Sequence, residues 1–294
     1  MQYFRPEYIF RPTQILRRIA YAAGLTREIE SARTPWGLPI SFDPRELHGR
    51  AMLTLGLSDL RTNEVISRLL RPGDIAIDIG ANIGIMTSLM AVRAGPTGSV
   101  YAFEPHPNTR QKLQVNVESW QQSRYPTATV TVFPYAASVK SGKAALIEPD
   151  QFAANSGVAT LGKLFNDEDQ RSCVKVETIS FDDWSSGLGQ VRLVKIDVEG
   201  HEDSVLYGME KSLGLHNIDC LVFEEMRPLP SPATKYLEQH GYTCHMIDRS
   251  FFGPSLIDVH DRPRKLRGEA TNILATRQPD DAAMLSGGGW SCLR

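Results

Sequence analysis

The sequence predicts an α/β protein with a doubly wound, mostly parallel sheet that carries helices on both faces. Two observations lead to this fold class. Short apolar runs alternate with helical patterns from Asp74 onward, and a glycine-containing turn, Gly80 to Gly84, joins the first run to the first helix. Parallel strands need a crossover connection, which is usually a helix, so this alternation is typical of a parallel sheet.

The predicted strands are short apolar stretches bounded by turn residues. In chain order they are DIAIDI (74–79), SVYAFE (99–104), TATVTVFPYAAS (127–138), LVKID (193–197), IDCLVFE (218–224), YTCHMID (242–248) and TNILATR (271–277). Two additional strands are predicted at 142–150 and 172–180. Helices are predicted after Gly84, after Pro107, between the strands at 193–197 and 218–224, and from Ser231 to Gly241.

Residues 1–70 lie before this alternating pattern and are predicted to form an N-terminal accessory segment. A helix begins at Pro12-Thr13, short extended pieces follow at 34–43, and a second helix runs from about 57 to 70. We expect the main domain to cover residues 71–277. The remaining stretch, 278–294, is rich in glycine and has no periodicity, so we expect a disordered tail.

Composition limits the classes of function. A chain of 294 residues can bury roughly 75% of its unfolded surface, which is enough for an enzyme core. The net charge of −2 lacks the basic excess of nucleic-acid-binding proteins, so we expect no nucleic-acid partner. The four cysteines are far apart with no C-x-x-C pair, which argues against a structural zinc site and against a disulfide framework.

The N-terminal residues do not have the pattern of a signal peptide. Their longest apolar run, Ile19 to Leu25, has seven residues and includes Gly24. No other stretch approaches the ~20 apolar residues of a membrane-spanning helix. We therefore expect no transmembrane segment and a cytoplasmic location.

Acidic residues stand at or near the ends of four predicted strands. They are Asp78, Glu104, Asp197 and Glu224. The ligand of an open α/β sheet lies beyond the carboxyl ends of its strands, near the point where the strand order reverses. The sequence therefore predicts that these four side chains meet at one ligand site.

The loop DIGANIGIM (78–86) indicates which ligand the site takes. Gly80 allows the sharp turn after the strand, and Gly84 allows the next helix to pack closely. A dinucleotide-binding loop would have a third glycine where Asn82 stands, and no phosphate-loop lysine follows. Glu104, some twenty residues further on, is placed to accept both hydroxyls of a ribose. A ligand with a ribose, a positive charge and no phosphate is predicted, and S-adenosylmethionine meets this description.

Five blocks of sequence together resemble the FkbM family of S-adenosylmethionine-dependent methyltransferases. They are DIGANIG (78–84), FEPHPN (103–108), VETISFDDW (176–184), LVKIDVEGHE (193–202) and NILA (272–275). The resemblance covers about residues 60–277. It implies a class I methyltransferase (Rossmann-like) fold and methyl transfer to a hydroxyl oxygen of a small-molecule or glycan acceptor, such as a sugar or polyketide.

The same resemblance implies roles for particular residues. The cofactor positions of the family match Asp78, Gly80, Asn82, Gly84 and Glu104. The loop ANSGVAT (154–160), with Asn155 and Gly157, is similar to a further family block. Asn108 is expected either to cap its helix or to contact the adenosine.

The block LVKIDVEGHE supplies the catalytic candidates. The period of two in a strand places Lys195, Asp197 and Glu199 on one face. Asp197 is the first candidate for holding the acceptor hydroxyl or receiving its proton, and His201 is the second, because a neutral imidazole is a base near pH 7. Lys195 is expected to pair with Asp197 or Glu224, which would offset the desolvation of a buried charge.

Other interpretations of these residues stay open at this point. Lys195 and Asp197 could form a structural ion pair, and His201 could be a hydrogen-bonded loop residue. Asp197, Glu199 and His201 also offer oxygen and nitrogen ligands for Mg²⁺ or Mn²⁺. The alternative functions are a non-catalytic nucleoside-binding module and an NAD-dependent oxidoreductase, and Asn82 argues against the latter.

Overall fold

The structure, a computed structural model, describes residues 6–25, 30–148, 160–162, 173–250, 253–261, 270–285 and 288–293. The strands are β1 Ser31–Arg33, β2 Pro39–Ser41, β3 Ile75–Ile79, β4 Ser99–Phe103, β5 Thr129–Phe133, β6 Tyr135–Ala137, β7 Gly142–Ile147, β8 Thr160–Gly162, β9 Cys173–Ile179, β10 Val191–Ile196, β11 Ile218–Glu225, β12 Thr243–Ser250, β13 Gly253–Asp258 and β14 Thr271–Thr276. The helices are α1 Pro6–Phe10, α2 Thr13–Ala22, α3 Leu47–Thr54, α4 Leu60–Leu69, α5 Ile85–Ala94, α6 Pro107–Gln121, α7 Phe181–Trp184, α8 Glu202–Tyr207, α9 Glu210–Gly214, α10 Pro232–Gln239 and α11 Pro279–Leu285.

Eight strands form the central sheet, in the order β13-β12-β14-β11-β10-β3-β4-β5. The five neighbouring strands β11, β10, β3, β4 and β5 are parallel. At the other edge β14, β12 and β13 follow, and each of them pairs antiparallel with its neighbours. The chain builds outward from β3 to β5 and then returns to the other side of β3 as β10. The strand order therefore reverses between β3 and β10, where open α/β sheets bind ligands. The predicted doubly wound, mostly parallel sheet is confirmed.

Apolar side chains on both faces of the central strands explain why helices cover both sides of the sheet. Ala76 of β3 and Leu193 of β10 pack with side chains of α3, α4 and α5 on one face. The next residue of each strand, Ile77 and Val194, packs with α8, α9 and α10 on the other. This alternation follows from the period of two in a strand, and burial on both faces is usual for parallel strands.

The prediction of a single strand at 127–138 is wrong, because the chain forms two strands there, β5 and β6. β5 joins the central sheet, whereas β6 pairs with β9 in a second sheet of order β6-β9-β7-β8. Pro134 lies between them and has no N–H to donate, so it interrupts the ladder. Residues 154–159 of the predicted family block, including Asn155 and Gly157, lie outside the described residues.

The N-terminal segment and the C-terminal residues both pack onto the main domain. Helix α3, which the sequence did not predict, places Met52 in the same core as β3. Trp290 is fully buried against Leu57 and Leu60, and Glu64 accepts hydrogen bonds from the backbone N–H of residues 291 and 292. The expectation of a disordered tail is therefore wrong for 279–285 and 288–293, because a large apolar side chain and a buried carboxylate hold the chain in place.

Three smaller findings complete the fold. The single helix predicted between β10 and β11 is two short helices, α8 and α9, which are separated at Gly208 and Met209. All four cysteines are free. Among the described helices, none combines the length and the apolar character needed to cross a membrane.

Candidate active site

A cavity of about 420 Å³ opens at the carboxyl ends of β3, β4, β10 and β11. The loop after β3 forms its floor, and the strand-end residues Glu104, Asp197 and Glu224 line it. Helix α3 and the second sheet contribute apolar side chains, among them Leu47 and Leu146. Three of the four acids predicted to meet at one site therefore do so, at the place where the strand order reverses.

The loop after β3 needs its two glycines for different steric reasons. Gly80 has φ +77°, and a Cβ there would lie 1.9 Å from the carbonyl oxygen of Asp197. Gly84 has φ +91°, and a Cβ there would lie 2.5 Å from Leu113 Cδ1 and 2.9 Å from Trp120. Glycine at the first position thus lets β3 and β10 approach each other at the cavity, and glycine at the second lets α5 pack beside α6.

Glu104 is fixed to this loop by hydrogen bonds from the backbone. Its Oε2 accepts from the N–H of Asn82 at 2.9 Å and its Oε1 accepts from the N–H of His106 at 3.0 Å. Burial raises the pKa of the carboxyl to about 7, although these N–H groups and the charges of Lys195 and Arg110 favour the ionised form. Each oxygen has a further lone pair and Glu104 lines the cavity, so the carboxylate has the capacity to accept two ligand hydroxyls.

Lys195 is the cation that offsets the buried acids. Its Nζ lies 3.1 Å from Oδ1 of Asp78 and 3.4 Å from Oδ2 of Asp197, and it donates to the carbonyl of Gly80 at 2.9 Å. Burial works against its charge, but the two carboxylates outweigh burial and raise the pKa of Lys195. The predicted pairing with Asp197 is confirmed, the pairing with Asp78 was not predicted, and no ion pair joins Lys195 to Glu224 among the described residues.

Asp78 lies beneath the cavity instead of lining it. It is fully buried, and its Oδ2 accepts a hydrogen bond from the hydroxyl of Thr87 at 2.6 Å. With Lys195 on its other oxygen, this carboxylate has no face toward the cavity. The expectation that Asp78 contacts the cofactor stays a prediction: in the structure the residue contacts Lys195 and Thr87 and does not line the cavity.

Three carboxyl groups line the cavity near the carboxyl ends of β10 and β11. Asp197 is partly exposed to it, and Glu199 and Glu224 line it as well. Burial and the neighbouring acids, Asp197 first among them, raise the pKa of Glu199 and of Glu224 to about 7. A carboxyl group with a pKa close to neutral pH is suited to general acid–base chemistry.

His201 does not reach this cavity. Its Nε2 lies 3.0 Å from the hydroxyl of Ser138, and burial lowers the pKa of the imidazole. The expectation of His201 as a base at the site is therefore corrected, because its ring is directed at the second sheet. The predicted Asp197, Glu199 and His201 metal site is not assembled, and no group of three such ligands occurs elsewhere in the described ranges.

The block FEPHPN places a different residue in the cavity from the one predicted. Asn108 is exposed in the first turn of α6 and neither lines the cavity nor caps the helix. His106 is the N-cap residue, lines the cavity, and pairs through Nε2 with Oε1 of Glu148 at 2.8 Å. The proline at position 107 favours this helix start, so the capping residue is one position before it.

His48 of α3 is a cavity residue that sequence reasoning missed. Its imidazole lines the cavity, and within the described part of the chain it has no hydrogen-bond partner. Burial lowers the pKa of His48, and the charge of Asp197 acts in the opposite direction while that of Lys195 reinforces the lowering. The one available sequence signal was the spacing of Leu47, Ala51 and Leu55, which is that of one helical face.

Comparisons with known proteins agree with this geometry. The family model described as Methyltransferase FkbM domain matches residues 78–244. Hexuronic acid methyltransferase AglP of Haloferax volcanii is 34% identical over 192 residues, which cover 62% of this chain and 71% of that protein. The 31-O-demethyl-FK506 methyltransferase FkbM of Streptomyces tacrolimicus is 31% identical over 163 residues, which cover 48% of this chain and 61% of that protein.

A solved structure with the same family name is similar at a lower level. The crystal structure of Methyltransferase FkbM from Methylobacillus flagellatus KT is 14% identical, with a TM-score of 0.43, and covers 77% of this chain and 65% of that one. The matched span, 78–244, includes the loop after β3, Glu104, and the acids that follow β10. The chain belongs to the FkbM family and is an S-adenosylmethionine-dependent methyltransferase.

Proposed function

We propose that the chain transfers a methyl group from S-adenosylmethionine to a hydroxyl oxygen of a sugar, glycan or polyketide-type acceptor. One observation carries this proposal: Glu104, which accepts a hydrogen bond from the N–H of Asn82, and Asp197, which pairs with Lys195, both line one cavity. The first fits a ribose and the second fits an acceptor hydroxyl. The relatives are named for a hexuronic acid and for 31-O-demethyl-FK506, and the second name places the methylated position on oxygen.

The residues of the first loop fit the proposed cofactor. Gly80, Asn82 and Gly84 shape the turn, and Glu104 offers lone pairs for the two ribose hydroxyls. Asn82 occupies the position where a dinucleotide-binding loop has a glycine next to the pyrophosphate. Its Oδ1 accepts a hydrogen bond from the N–H of Ile83 at 2.7 Å. When bound, the cofactor supplies a methyl carbon activated by a positively charged sulfur, which the surrounding carboxyl groups favour.

The carboxyl groups that follow β10 and β11 fit the loss of a hydroxyl proton from the acceptor. Lys195 holds Asp197 from below, so its carboxylate is positioned to accept a hydrogen bond from the acceptor hydroxyl. Glu199, Glu224 and His48 line the same cavity and are candidates to receive the proton. Because His201 lies elsewhere, Asp197 and Glu199 lack the third predicted metal ligand, and we propose that transfer proceeds without Mg²⁺ or Mn²⁺.

The division of the chain is part of the proposal. Residues 71–277 are the proposed methyltransferase domain, and the N-terminal segment completes the cavity through α3. The support for this is that Leu47, His48 and Ala51 line the cavity although they precede the domain in sequence.

Two measurements test the proposed function. In a thermal-shift assay with S-adenosylmethionine, S-adenosylhomocysteine and NAD tested separately, the first two should raise the melting temperature. A rise with NAD alone would contradict the proposal. The protein is then incubated with isotopically labelled methyl donor and fractionated glycans and small molecules, with EDTA in a parallel sample. Binding without any labelled product, unchanged in Asp197→Ala, would favour the non-catalytic nucleoside-binding module.

A further inference from the structure

Large apolar side chains are exposed on α1, on α2 and just after α2. Ile9, Leu16, Ile19 and Leu25 all lie on the surface, and we call them the apolar outer face. Leu16 is 68% exposed and Ile19 is 56% exposed, and three residues apart in a helix places them side by side. Single exposed apolar residues are ordinary, but several together on one face indicate an interaction site.

The inner face of the same helices buries polar side chains as well as Tyr8, which is unusual for a surface helix. Glu7 and Gln14 are buried, and both atoms of the Gln14 amide lack a hydrogen-bond partner. A Cβ on Gly56 would lie 2.9 Å from Nε2 of Gln14, so the polar side is pressed against the end of α3. An apolar environment outside α2 would suit this orientation better than water does.

The charge of the segment identifies the kind of partner. Residues 8–25 contain Arg11, Arg17 and Arg18 and no acidic residue, although the whole chain has a net charge of −2. Arg17 is exposed beside Leu16, whereas Arg18 is partly buried and donates to the hydroxyl of Tyr8, and Arg11 is partly buried near Gly56. Apolar side chains flanked by arginines are the combination that binds the surface of a membrane containing anionic lipids. We propose that the apolar outer face docks onto an anionic lipid surface.

Docking at this face has a consequence for the acceptor, which rests on the proposed function. Helix α2 packs against α3, and α3 lines the cavity with Leu47, which is itself half exposed. The bilayer would therefore lie beside the wall of the cavity that α3 forms. The acceptor that suits this arrangement is a hydroxyl compound carried on a lipid.

The experiment is sedimentation of the full chain with vesicles, which needs no acceptor. Vesicles of equimolar phosphatidylcholine and phosphatidylglycerol should bind the protein at about 50 mM NaCl and bind it less at about 500 mM, whereas phosphatidylcholine alone should bind it weakly. Leu16→Glu combined with Ile19→Glu should lower binding at least about tenfold. The matched control is Leu215→Glu with Val115→Glu, at residues 66% and 52% exposed elsewhere on the surface, and it should bind normally.

Several results would overturn the docking proposal. These are no binding to the anionic vesicles, equal losses in the two double variants, or a Leu16→Glu, Ile19→Glu variant that binds as well as wild type. Light scattering that shows a dimer broken by this variant, with no vesicle binding, would assign the face to a second copy of the chain. The thermal shift with S-adenosylhomocysteine is measured on the same samples, so loss of cofactor binding counts against the proposed function and not against docking.

Discussion

Lys195 and Asp78 are direct neighbours across the parallel pair β10 and β3, and their charged atoms lie 3.1 Å apart in the buried interior. Removing the cation would leave the Asp78 carboxylate buried without a charge partner. We therefore expect Lys195→Met to lower the free energy of unfolding by about 3–5 kcal/mol in urea denaturation. Adding Asp78→Asn should recover part of this loss, because the uncompensated charge is then gone. If the double variant is less stable by the full sum of the single losses, the two side chains do not interact.

The hydrogen bonds of Glu104 lead to a prediction about cofactor affinity. Glu104→Gln keeps the shape of the side chain but replaces one acceptor oxygen by an NH₂ group. The NH₂ group donates hydrogen bonds, so it cannot accept one from a backbone N–H or from a ligand hydroxyl. We expect affinity for S-adenosylhomocysteine, measured by calorimetry, to fall about tenfold or more. Glu118→Gln, on the exposed face of α6, is the control and should bind as wild type does.

The raised pKa of Glu224 leads to a prediction about stability and pH. The folded-state pKa is about 7 and the ordinary value is 4.5, so the folded state holds this proton after the unfolded chain has released it. The group therefore favours folding below pH 4.5, and this contribution is lost as the pH rises to 7. The free energy of unfolding of Glu224→Gln in urea, measured relative to wild type, should therefore increase as the pH rises from 4.5 to 7. Above pH 7 the difference between the two proteins should stay constant. A difference that does not change with pH would contradict the assignment.

Gly80 and Gly187 allow two effects of an added side chain to be measured separately, the cost of a positive φ and a steric clash at the cavity. Gly80 and Gly187 have similar positive φ values of +77° and +83°, but a Cβ meets Asp197 only at the first, since none of the neighbours of Gly187 lies within 4 Å. Gly187→Ala should show the cost of the backbone conformation alone, about 1 kcal/mol. Gly80→Ala should cost 1–3 kcal/mol more, roughly, and should reduce methyl transfer because Asp197 is displaced. Equal losses of stability in the two variants would mean that the loop yields to the added methyl.

The sequence predicted the parts of the site that depend on local pattern. Glu104, Asp197 and Glu224 stand at strand ends, and the carboxyl ends of parallel strands must meet at one edge, so their convergence follows from the fold class. The partner of Lys195 was predicted less well. Asp197 is two residues away in sequence, but Asp78 becomes a neighbour only because β10 pairs with β3, and that strand order depends on the packing of the whole chain.

Residues that reach the site or the core from distant segments could not be predicted in the same way. His48 enters the cavity because α3 packs onto the sheet, and Trp290 becomes buried against Leu57 more than two hundred positions earlier. The predicted position of His201 was wrong for the same reason. Its partner Ser138 follows β6, which belongs to the second sheet and is separated from β5 of the central sheet by Pro134. Tertiary contacts decide these positions, and the local sequence does not contain them.

The position of His48 predicts that it takes part in proton removal. We expect His48→Gln to reduce turnover on the acceptor identified by labelling by about 10²-fold or more, with unchanged affinity for S-adenosylhomocysteine. The wild-type rate should rise with pH through an imidazole pKa below 6.5, because burial lowers the pKa of His48, and the variant should lose this limb of the pH profile. His245→Gln is the control, since burial lowers the pKa of that histidine too but it stands on β12, outside the cavity. A variant at position 48 that is slower at every pH by the same factor would show that His48 shapes the cavity without receiving the proton.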